Sequence, residues 1–258
     1  MADLRVTLVQ TTLHWHDPAA NRRMFDELLD GLAGQTDLIV LPEMFTTGFT
    51  MQPEIAAESA NGESIEWLRE KAKRLNAVVT GSIATRDGSH HFNRLTWMRP
   101  DGTSASYDKR HLFRMGREHD HYSAGTQRLL TELNGWVVCP MVCYDLRFPV
   151  WIRNREAYDL LLFVANWPER RRYPWQTLLR ARAIENLCYC VGVNRIGADG
   201  SGVTHSGDSM ALDFLGAPLF AESTNAFVQT VTLRRGELDT HRARFPAHLD
   251  ADEFELKI

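Results

Sequence analysis

One cysteine lies where an apolar run gives way to a polar segment, and this position suits nucleophilic chemistry. Cys143 directly follows the run from Trp136 to Val142. A buried strand ending there would present the thiol at the edge of a sheet, and Pro149 can open a following helix. The partial positive charge of a helix N-terminus favours a thiolate, which is the nucleophilic form. The alternative is a small buried apolar residue, as most free cysteines are.

Two further reactive side chains also follow predicted strands. Glu43 comes directly after Leu41-Pro42, and Lys109 comes just after a predicted hairpin. Ligands of open α/β sheets bind beyond the carboxyl ends of the strands, where a thiol, a carboxylate and an ammonium would combine a nucleophile with a base and a cation. Taken alone, Glu43 could be a helix cap or a surface acid, and Lys109 a solvated lysine. The ordered set of three predicts catalysis more strongly than any member does.

The elements that must position these residues alternate between short apolar runs and helical patterns. Strands are predicted at residues 4–10, 37–41, 77–83, 92–98, 103–107, 136–142, 160–165, 188–195, 209–215, 218–221 and 226–233. Helices are predicted at residues 21–32, 64–75 and 175–187. This surplus of strands favours two facing sheets with helices outside, in one α/β domain spanning residues 1–258. The tail, residues 234–258, is expected to form a separate arm that covers a partner subunit.

Composition narrows the classes of function. The chain has 258 residues, of which 44% are hydrophobic and 24% charged, as in ordinary globular proteins. Its net charge of -4 gives no basic footprint for nucleic acid, and we expect no membrane span because no apolar run is long enough. The first residues form a strand pattern without signal-peptide features, and four cysteines lie in apolar surroundings. We therefore expect reduced thiols in a cytoplasmic protein.

Several histidines are further candidates for metal ligands or site residues. His111, His119 and His121 are close in sequence, but no spacing typical of a zinc site supports them, and we expect no bound metal. His205 lies in a polar loop and is expected to be a solvated loop histidine rather than part of the site. Cys139 and Cys143 lie about 13 Å apart along an extended strand, which is too far for a disulfide.

Three motifs occur in an order that resembles the nitrilase (carbon–nitrogen hydrolase) superfamily: LPE at 41–43, DKRHL at 108–112 and VCYDLRFP at 142–149. The resemblance extends from Val6 to about Leu233, and four flanking segments are most similar to bacterial omega-amidases: residues 45–49, 111–115, 164–168 and 180–186. It implies a four-layer α-β-β-α sandwich and a homodimer.

The resemblance also implies roles for individual residues. Glu43 would be the general base, Lys109 the stabilising cation and Cys143 the nucleophile. Glu118, seven residues before Gly125, is similar to a second active-site glutamate that orients Lys109 and the substrate. The alternative for Glu118 is an acid that balances the neighbouring arginines.

These roles describe a complete hydrolysis at neutral pH. A free thiol has a pKa near ~8.5, so Glu43 would take its proton as the sulfur attacks an amide carbonyl. Lys109 and the backbone N–H of Tyr144 would stabilise the oxyanion. Ammonia would leave and water would hydrolyse the thioester on Cys143. Neither a metal nor an organic cofactor is required.

The implied substrate is a small omega-amide of a dicarboxylic keto acid, such as 2-oxoglutaramate or 2-oxosuccinamate. Arg147 could pair with its carboxylate, or instead form an internal ion pair with Asp145 or Glu185. Aromatic residues are expected to line the pocket, with core packing as the alternative: Phe45, Phe49 and Trp167. Rival functions are an aliphatic amidase, a carbamoylase or a nitrilase, a redox sensor that uses the thiols, and a catalytically inactive binding protein with the same fold.

Overall fold

The protein is described by a computed structural model that covers residues 2–155, 157–221 and 223–256. The strand Leu4–Gln10 and the strand Leu160–Ala165 have the bounds that the hydrophobic pattern predicts. Most other predicted elements are present with ends displaced by a few residues, as is usual for element boundaries.

The elements alternate along the chain as expected for an α/β fold. The strands are β1 Leu4–Gln10, β2 Leu38–Val40, β3 Glu58–Ser59, β4 Val78–Asp87, β5 His90–Met98, β6 Ser104–Asp108, β7 Thr131–Leu133, β8 Trp136–Val142, β9 Leu160–Ala165, β10 Tyr189–Asn194, β11 Ile196–Ala198, β12 Thr204–Ser206, β13 Met210–Leu212 and β14 Phe227–Leu233. The α-helices are α1 Pro18–Leu28, α2 Pro53–Ala56, α3 Glu63–Leu75, α4 Pro149–Ile152, α5 Arg172–Asn186 and α6 Arg235–Arg244.

Two sheets contain the functional strand ends. The first sheet has the order β14-β1-β2-β4-β5-β6, with β3 paired to β4, and β1, β2 and β4 are parallel. The second sheet has the order β13-β10-β9-β8-β7, and β8, β9 and β10 are parallel. Parallel strands place their carboxyl ends on one edge, so each sheet delivers several polar segments to the same place.

The sheets face each other and helices cover their outer sides. Leu4, Val6 and Leu8 of β1 belong to one core cluster with residues of β8 and β9, whereas Val9 points the other way, into a cluster with α1 and α3. On the far side of the second sheet, α5 packs against β10 so closely that a Cβ at Gly192 would lie 2.7 Å from Leu179. The predicted four-layer α-β-β-α sandwich is therefore confirmed.

The predicted strands at 209–215 and 218–221 are mostly wrong. Only Met210–Leu212 is a strand, and a single bridge between Leu212 and Pro218 replaces the second one. Proline has no N–H to donate to a ladder, which accounts for the interruption. The short strands β7, β11 and β12 were missed, because runs of three residues carry too little periodicity to be recognised.

The tail does not begin as a free arm. Helix α6 packs on its own chain through the buried Leu238, and Arg235 and Arg242 both pair with Asp159, at 2.9 and 2.8 Å. The expected separate arm from residue 234 is thus incorrect as far as residue 244. Among the described residues, every helix is too short or too polar to cross a membrane.

Candidate active site

Cys143 lies at a sharp turn directly after β8. Its backbone has φ +45°, in the left-handed region that residues with a side chain rarely adopt. A short 3-10 turn, Cys143–Arg147, begins there and leads into α4, with Pro149 at the first helical position. Such strain persists only where the surroundings impose it, and it is common at functional sites.

The buried carboxylate of Asp145 fixes this turn. One oxygen accepts the N–H of Val142 at 3.1 Å and the hydroxyl of Tyr107 at 2.8 Å. The other oxygen accepts the backbone N–H of His111 at 2.9 Å and contacts its ring Nδ1 at 2.8 Å. Because Tyr107 and His111 flank Lys109 and Val142 precedes Cys143, Asp145 joins the cysteine turn to the segment that contains Lys109.

Glu43 is fully buried just beyond the end of β2. One carboxylate oxygen accepts the backbone N–H of Asn166 at 2.8 Å. The other accepts Nδ2 of Asn93 at 2.8 Å and Nζ of Lys109 at 2.9 Å. The carboxylate is therefore held between β2, β5 and the end of β9. Asn93 was missed because an asparagine inside a strand gives no local signal of a site.

Lys109 joins the two glutamates. Its Nζ also donates to both carboxylate oxygens of Glu118, at 3.1 and 2.9 Å. Glu118 is completely buried and its carboxylate further accepts the N–H of Phe113. The arrangement contradicts the alternative in which Glu118 balances the surface arginines, since its charged partner is Lys109.

Burial and charge set the protonation states of this cluster. Burial lowers the pKa of Lys109, but the nearby Glu118 and Glu43 outweigh it and raise the pKa above its ordinary value. Lys109 is therefore an ammonium at neutral pH. Burial raises the pKa of Glu118, and Lys109 acts against that increase.

The thiol of Cys143 is buried within electrostatic reach of Glu43, Lys109 and Glu118. Burial raises its pKa well above the ordinary value, and the negative charge of Glu43 raises it further, whereas Lys109 lowers it. The sequence suggested that the helix end would favour a thiolate. In the structure burial and Glu43 prevail, so the resting group is a neutral thiol that needs a base.

Gly125 provides a test of how Lys109 is positioned. Its N–H donates to the carbonyl of Lys109 at 3.0 Å, and a Cβ on Gly125 would lie only 2.0 Å from the backbone oxygen of Asp108. We expect Gly125→Ala to lower the free energy of unfolding by about 1–3 kcal/mol. Displacement of Lys109 should also reduce activity. Chemical denaturation and kinetic assays measure both effects.

Gly236→Ala is the matched control, because a Cβ there would meet nothing within 4 Å. We expect this variant to retain the free energy of unfolding within about 1 kcal/mol, and to retain activity. Equal stability and activity of the two variants would show that the close contact at Gly125 does not position Lys109.

A pocket of about 290 Å³ opens above the thiol. Cys143, Lys109 and Tyr144 line it, together with Phe49, whose ring centre lies 5.0 Å from Nζ of Lys109. Tyr144 is in the first turn of the 3-10 helix, where backbone N–H groups have no partner within the helix. This geometry leaves an N–H group beside the thiol.

Two of the three aromatic residues predicted to line the pocket do so. Phe49 and Trp167 lie in its wall. Phe45 is instead buried in the outer core, where its ring contacts Phe25 at 5.6 Å and Trp67 at 5.8 Å between centroids. The prediction of Phe45 as a substrate-binding residue is therefore incorrect, because this ring faces the helices and not the pocket.

Arg147 lines the pocket, with its guanidinium carbon 5.1 Å from the centre of the Trp167 ring. Neither of the suggested internal ion pairs forms, because other groups occupy both acids. Asp145 accepts the donors described above, and Glu185 pairs with Arg182 at 3.0 Å.

His205 corrects another expectation. Its side chain is only 5% exposed and lines the pocket. The reason is that His205 belongs to the hairpin of β11 and β12, which folds over the pocket. Its Nδ1 lies 3.2 Å from the carbonyl oxygen of Gly197. Burial, helped by the charge of Arg195, lowers its pKa, so the ring is neutral at neutral pH. The loop position gave no sign of this burial.

The remaining candidate ligands do not converge. Over the part of the chain that the structure describes, no group of three histidine, cysteine or acidic side chains could hold a metal ion. The His111 ring stacks on Phe148, with centroids 3.7 Å apart. All four cysteines are buried, and none of them is in a disulfide bond.

Known proteins resemble this chain along its whole length. The family model for carbon–nitrogen hydrolases matches residues 5–243. The chain is 48% identical over 258 residues to "Omega-amidase YafV" of Escherichia coli K12, covering 99% of this chain and 100% of that protein. It is 32% identical over 199 residues to "2-oxoglutaramate amidase" of Bacillus subtilis, covering 75% of this chain and 77% of that protein.

A solved structure shows the same fold. XC1258 from Xanthomonas campestris is described as a CN-hydrolase superfamily protein with an arsenic adduct in the active site. It is 51% identical, covers 100% of both chains and superposes with a TM-score of 0.97. On the family match, the full-length identity and the buried cluster of Cys143, Glu43 and Lys109, this chain belongs to the carbon–nitrogen hydrolase family.

Proposed function

We propose that the protein is an omega-amidase, which hydrolyses the terminal amide of a small omega-amido keto acid to a carboxylate and ammonia. The observation that carries the proposal is the contact of Lys109 with both Glu43 and Glu118, while Lys109 and Cys143 line one pocket. The names of the relatives, an omega-amidase and a 2-oxoglutaramate amidase, support this substrate class.

The first half of the reaction transfers the acyl group to sulfur. Glu43 accepts the thiol proton while the sulfur of Cys143 bonds to the amide carbon. Nζ of Lys109 and the N–H of Tyr144 donate to the oxygen that becomes negative. Glu43 then returns the proton to the nitrogen, the carbon–nitrogen bond breaks, and ammonia leaves a thioester on Cys143.

The second half repeats these steps with water. Glu43 removes a proton from water, the hydroxide attacks the thioester, and the same two donors stabilise the oxyanion. Collapse releases the carboxylic acid, and Glu43 returns its proton to the sulfur. Glu118 holds the charged Lys109 in place throughout, through its two contacts with Nζ.

The walls of the pocket favour an anionic, partly apolar substrate. Phe49 and Trp167 provide apolar surface for a short methylene chain, and Arg147 provides a cation that pairs well with a carboxylate. A substrate with an amide at one end and a carboxylate at the other, such as 2-oxoglutaramate or 2-oxosuccinamate, satisfies both features.

A substrate panel tests the proposal. We expect ammonia release from 2-oxoglutaramate with a kcat/KM well above that for an aliphatic nitrile or an N-carbamoyl amino acid. A clear preference for either of the latter would favour the nitrilase or carbamoylase alternatives. Absence of turnover with every substrate, despite an intact fold, would favour an inactive binding protein.

We further propose that the chain acts as one domain, in a homodimer, in the cytoplasm. The core shared by the two sheets supports a single domain. Four buried cysteines outside any disulfide bond suit a reducing compartment. Exposed apolar side chains on and near α5 support an interface: Tyr173, Ile184 and Leu215. Light scattering during gel filtration tests the dimer, which a monomeric mass at micromolar concentration would contradict.

A further inference from the structure

The pocket wall carries an excess of positive charge. Three arginines line it, Arg147, Arg170 and Arg171, and among the described residues that line it Asp199 is the single acid. Lys109 also reaches the pocket, but its charge is already matched by Glu43 and Glu118. The surplus therefore belongs to the arginines, and it favours an anion.

Arg171 differs from the other two because one of its donor atoms is buried without an acceptor. Its Nη1 is inaccessible to solvent and has no hydrogen-bond partner within residues 2–155, 157–221 and 223–256. Its Nη2 donates to the thioether sulfur of Met115, 2.7 Å away. A thioether is a weak acceptor, and a buried donor without a partner costs about 1–3 kcal/mol.

Arg171 is nevertheless held in place by one ring contact of its side chain and by backbone hydrogen bonds. Its guanidinium carbon lies 5.2 Å from the centre of the Phe113 ring. Its backbone N–H donates to Pro168 at 2.9 Å, and its carbonyl accepts Nε1 of Trp167 at 2.7 Å. Burial lowers the pKa of Arg171, and the charges of Arg170 and Arg147 lower it further. An anion bound there would relieve both effects.

We infer that Arg171 binds the substrate carboxylate at the end remote from the scissile amide, and that the Met115 thioether occupies this position until substrate enters. The inference rests on the proposed function and adds a specificity-determining residue to it. Met115 is 67% exposed, so its side chain can move aside without disturbing the core. Arg171 would then make the pocket select charged omega-amides over neutral amides of the same length.

A pair of substrates that differ only at the remote end tests this selection. Glutaramate carries a carboxylate where pentanamide carries a methyl group. For Arg171→Gln we expect kcat/KM for glutaramate to fall about 10- to 100-fold, as loss of charge-assisted hydrogen bonds predicts. The value for pentanamide should change by less than about threefold, which also shows that the variant is folded and catalytically competent.

Arg170→Gln is the matched control, since it removes the same charge from an exposed side chain of the same wall. We expect a much smaller loss of selectivity, because exposed charges act only through screened, long-range attraction. Equal losses in the Arg170 and Arg171 variants would show that net charge, and not a contact with Arg171, selects the substrate. Equal losses on both substrates in the Arg171 variant would show a structural role.

A binding measurement separates this inference from the proposed function. Calorimetry with glutarate, on the Cys143→Ala variant with and without Arg171→Gln, needs no turnover. We expect the double variant to bind glutarate at least tenfold more weakly, following the same charge-assisted contacts. Equal affinity would overturn the inference. Weaker binding in the double variant would support Arg171 as an anion site even if the unmodified enzyme released no ammonia. The absence of ammonia release would then overturn only the amidase proposal.

Discussion

Replacing Cys143 with alanine is expected to lower kcat for 2-oxoglutaramate by roughly 10,000-fold or more, because no other group can carry the acyl intermediate. The fold should persist, since the substitution removes only one buried sulfur atom. Ammonia release under saturating substrate measures the loss, and thermal unfolding verifies the fold.

Cys190→Ala is the matched control for removing a buried sulfur. Cys190 is fully buried in β10 and makes no contribution to the proposed chemistry. We expect this variant to lose about 1–2 kcal/mol of stability, from the small cavity left behind, and to keep its kcat. An unchanged kcat in Cys143→Ala would contradict a covalent mechanism. An equal loss of kcat in Cys190→Ala would also contradict a specific role of Cys143.

The second large effect concerns Glu43. Glu43→Gln keeps the size of the side chain and its acceptor oxygen, but removes the group that accepts the thiol proton. We expect kcat/KM to fall roughly 1,000-fold, within the range that general acid–base catalysis contributes. The same variant should also let Cys143 ionise at lower pH, although its activity falls.

The sign follows from the contacts. The carboxylate of Glu43 raises the pKa of Cys143, chiefly through its negative charge. Without that charge the thiolate forms at lower pH, so the midpoint for alkylation of Cys143 by iodoacetamide should move downward although turnover is lost. Glu118→Gln should give a smaller downward movement, since its charge acts on Cys143 less strongly. An unchanged or higher midpoint in Glu43→Gln would contradict the proposed pairing.

Much of the site could be predicted from sequence because strand ends leave a local signal. Leu38–Val40 and Trp136–Val142 are apolar strands, and Glu43 and Cys143 lie just beyond their ends. Reactive residues that follow such strands reach the same edge of parallel sheets. Lys109 instead follows the more polar, antiparallel strand β6, where the predicted hairpin gave the signal.

The incorrect predictions for Phe45 and His205 have a common cause. Packing between distant segments overrides the local sequence pattern. Met44 adopts φ +41°, so side chains after β2 no longer alternate as in a strand, and Phe45 turns toward the helices. His205 is buried because a short hairpin folds over the pocket, and no periodicity in three-residue strands reports this.

The sequence also does not show which donors will occupy a given carboxylate. Asp145 is two residues from Arg147, yet its oxygens are taken by Tyr107 and His111, more than thirty positions away along the chain. Arg147 is left facing the pocket as a result. The left-handed backbone conformation of Cys143 also leaves no signal in the sequence, since it depends on the contacts that hold the turn and not on the residue type.

Mass spectrometry of enzyme quenched with acid during turnover of glutaramate tests the proposed catalytic centre most directly. A thioester intermediate on sulfur predicts an acyl adduct on the peptide that contains Cys143, absent from Cys143→Ala and accumulating when hydrolysis of the thioester is slowed. An adduct on another residue, or steady turnover of glutaramate by the alanine variant, would contradict the convergence of thiol, carboxylate and ammonium as the catalytic centre.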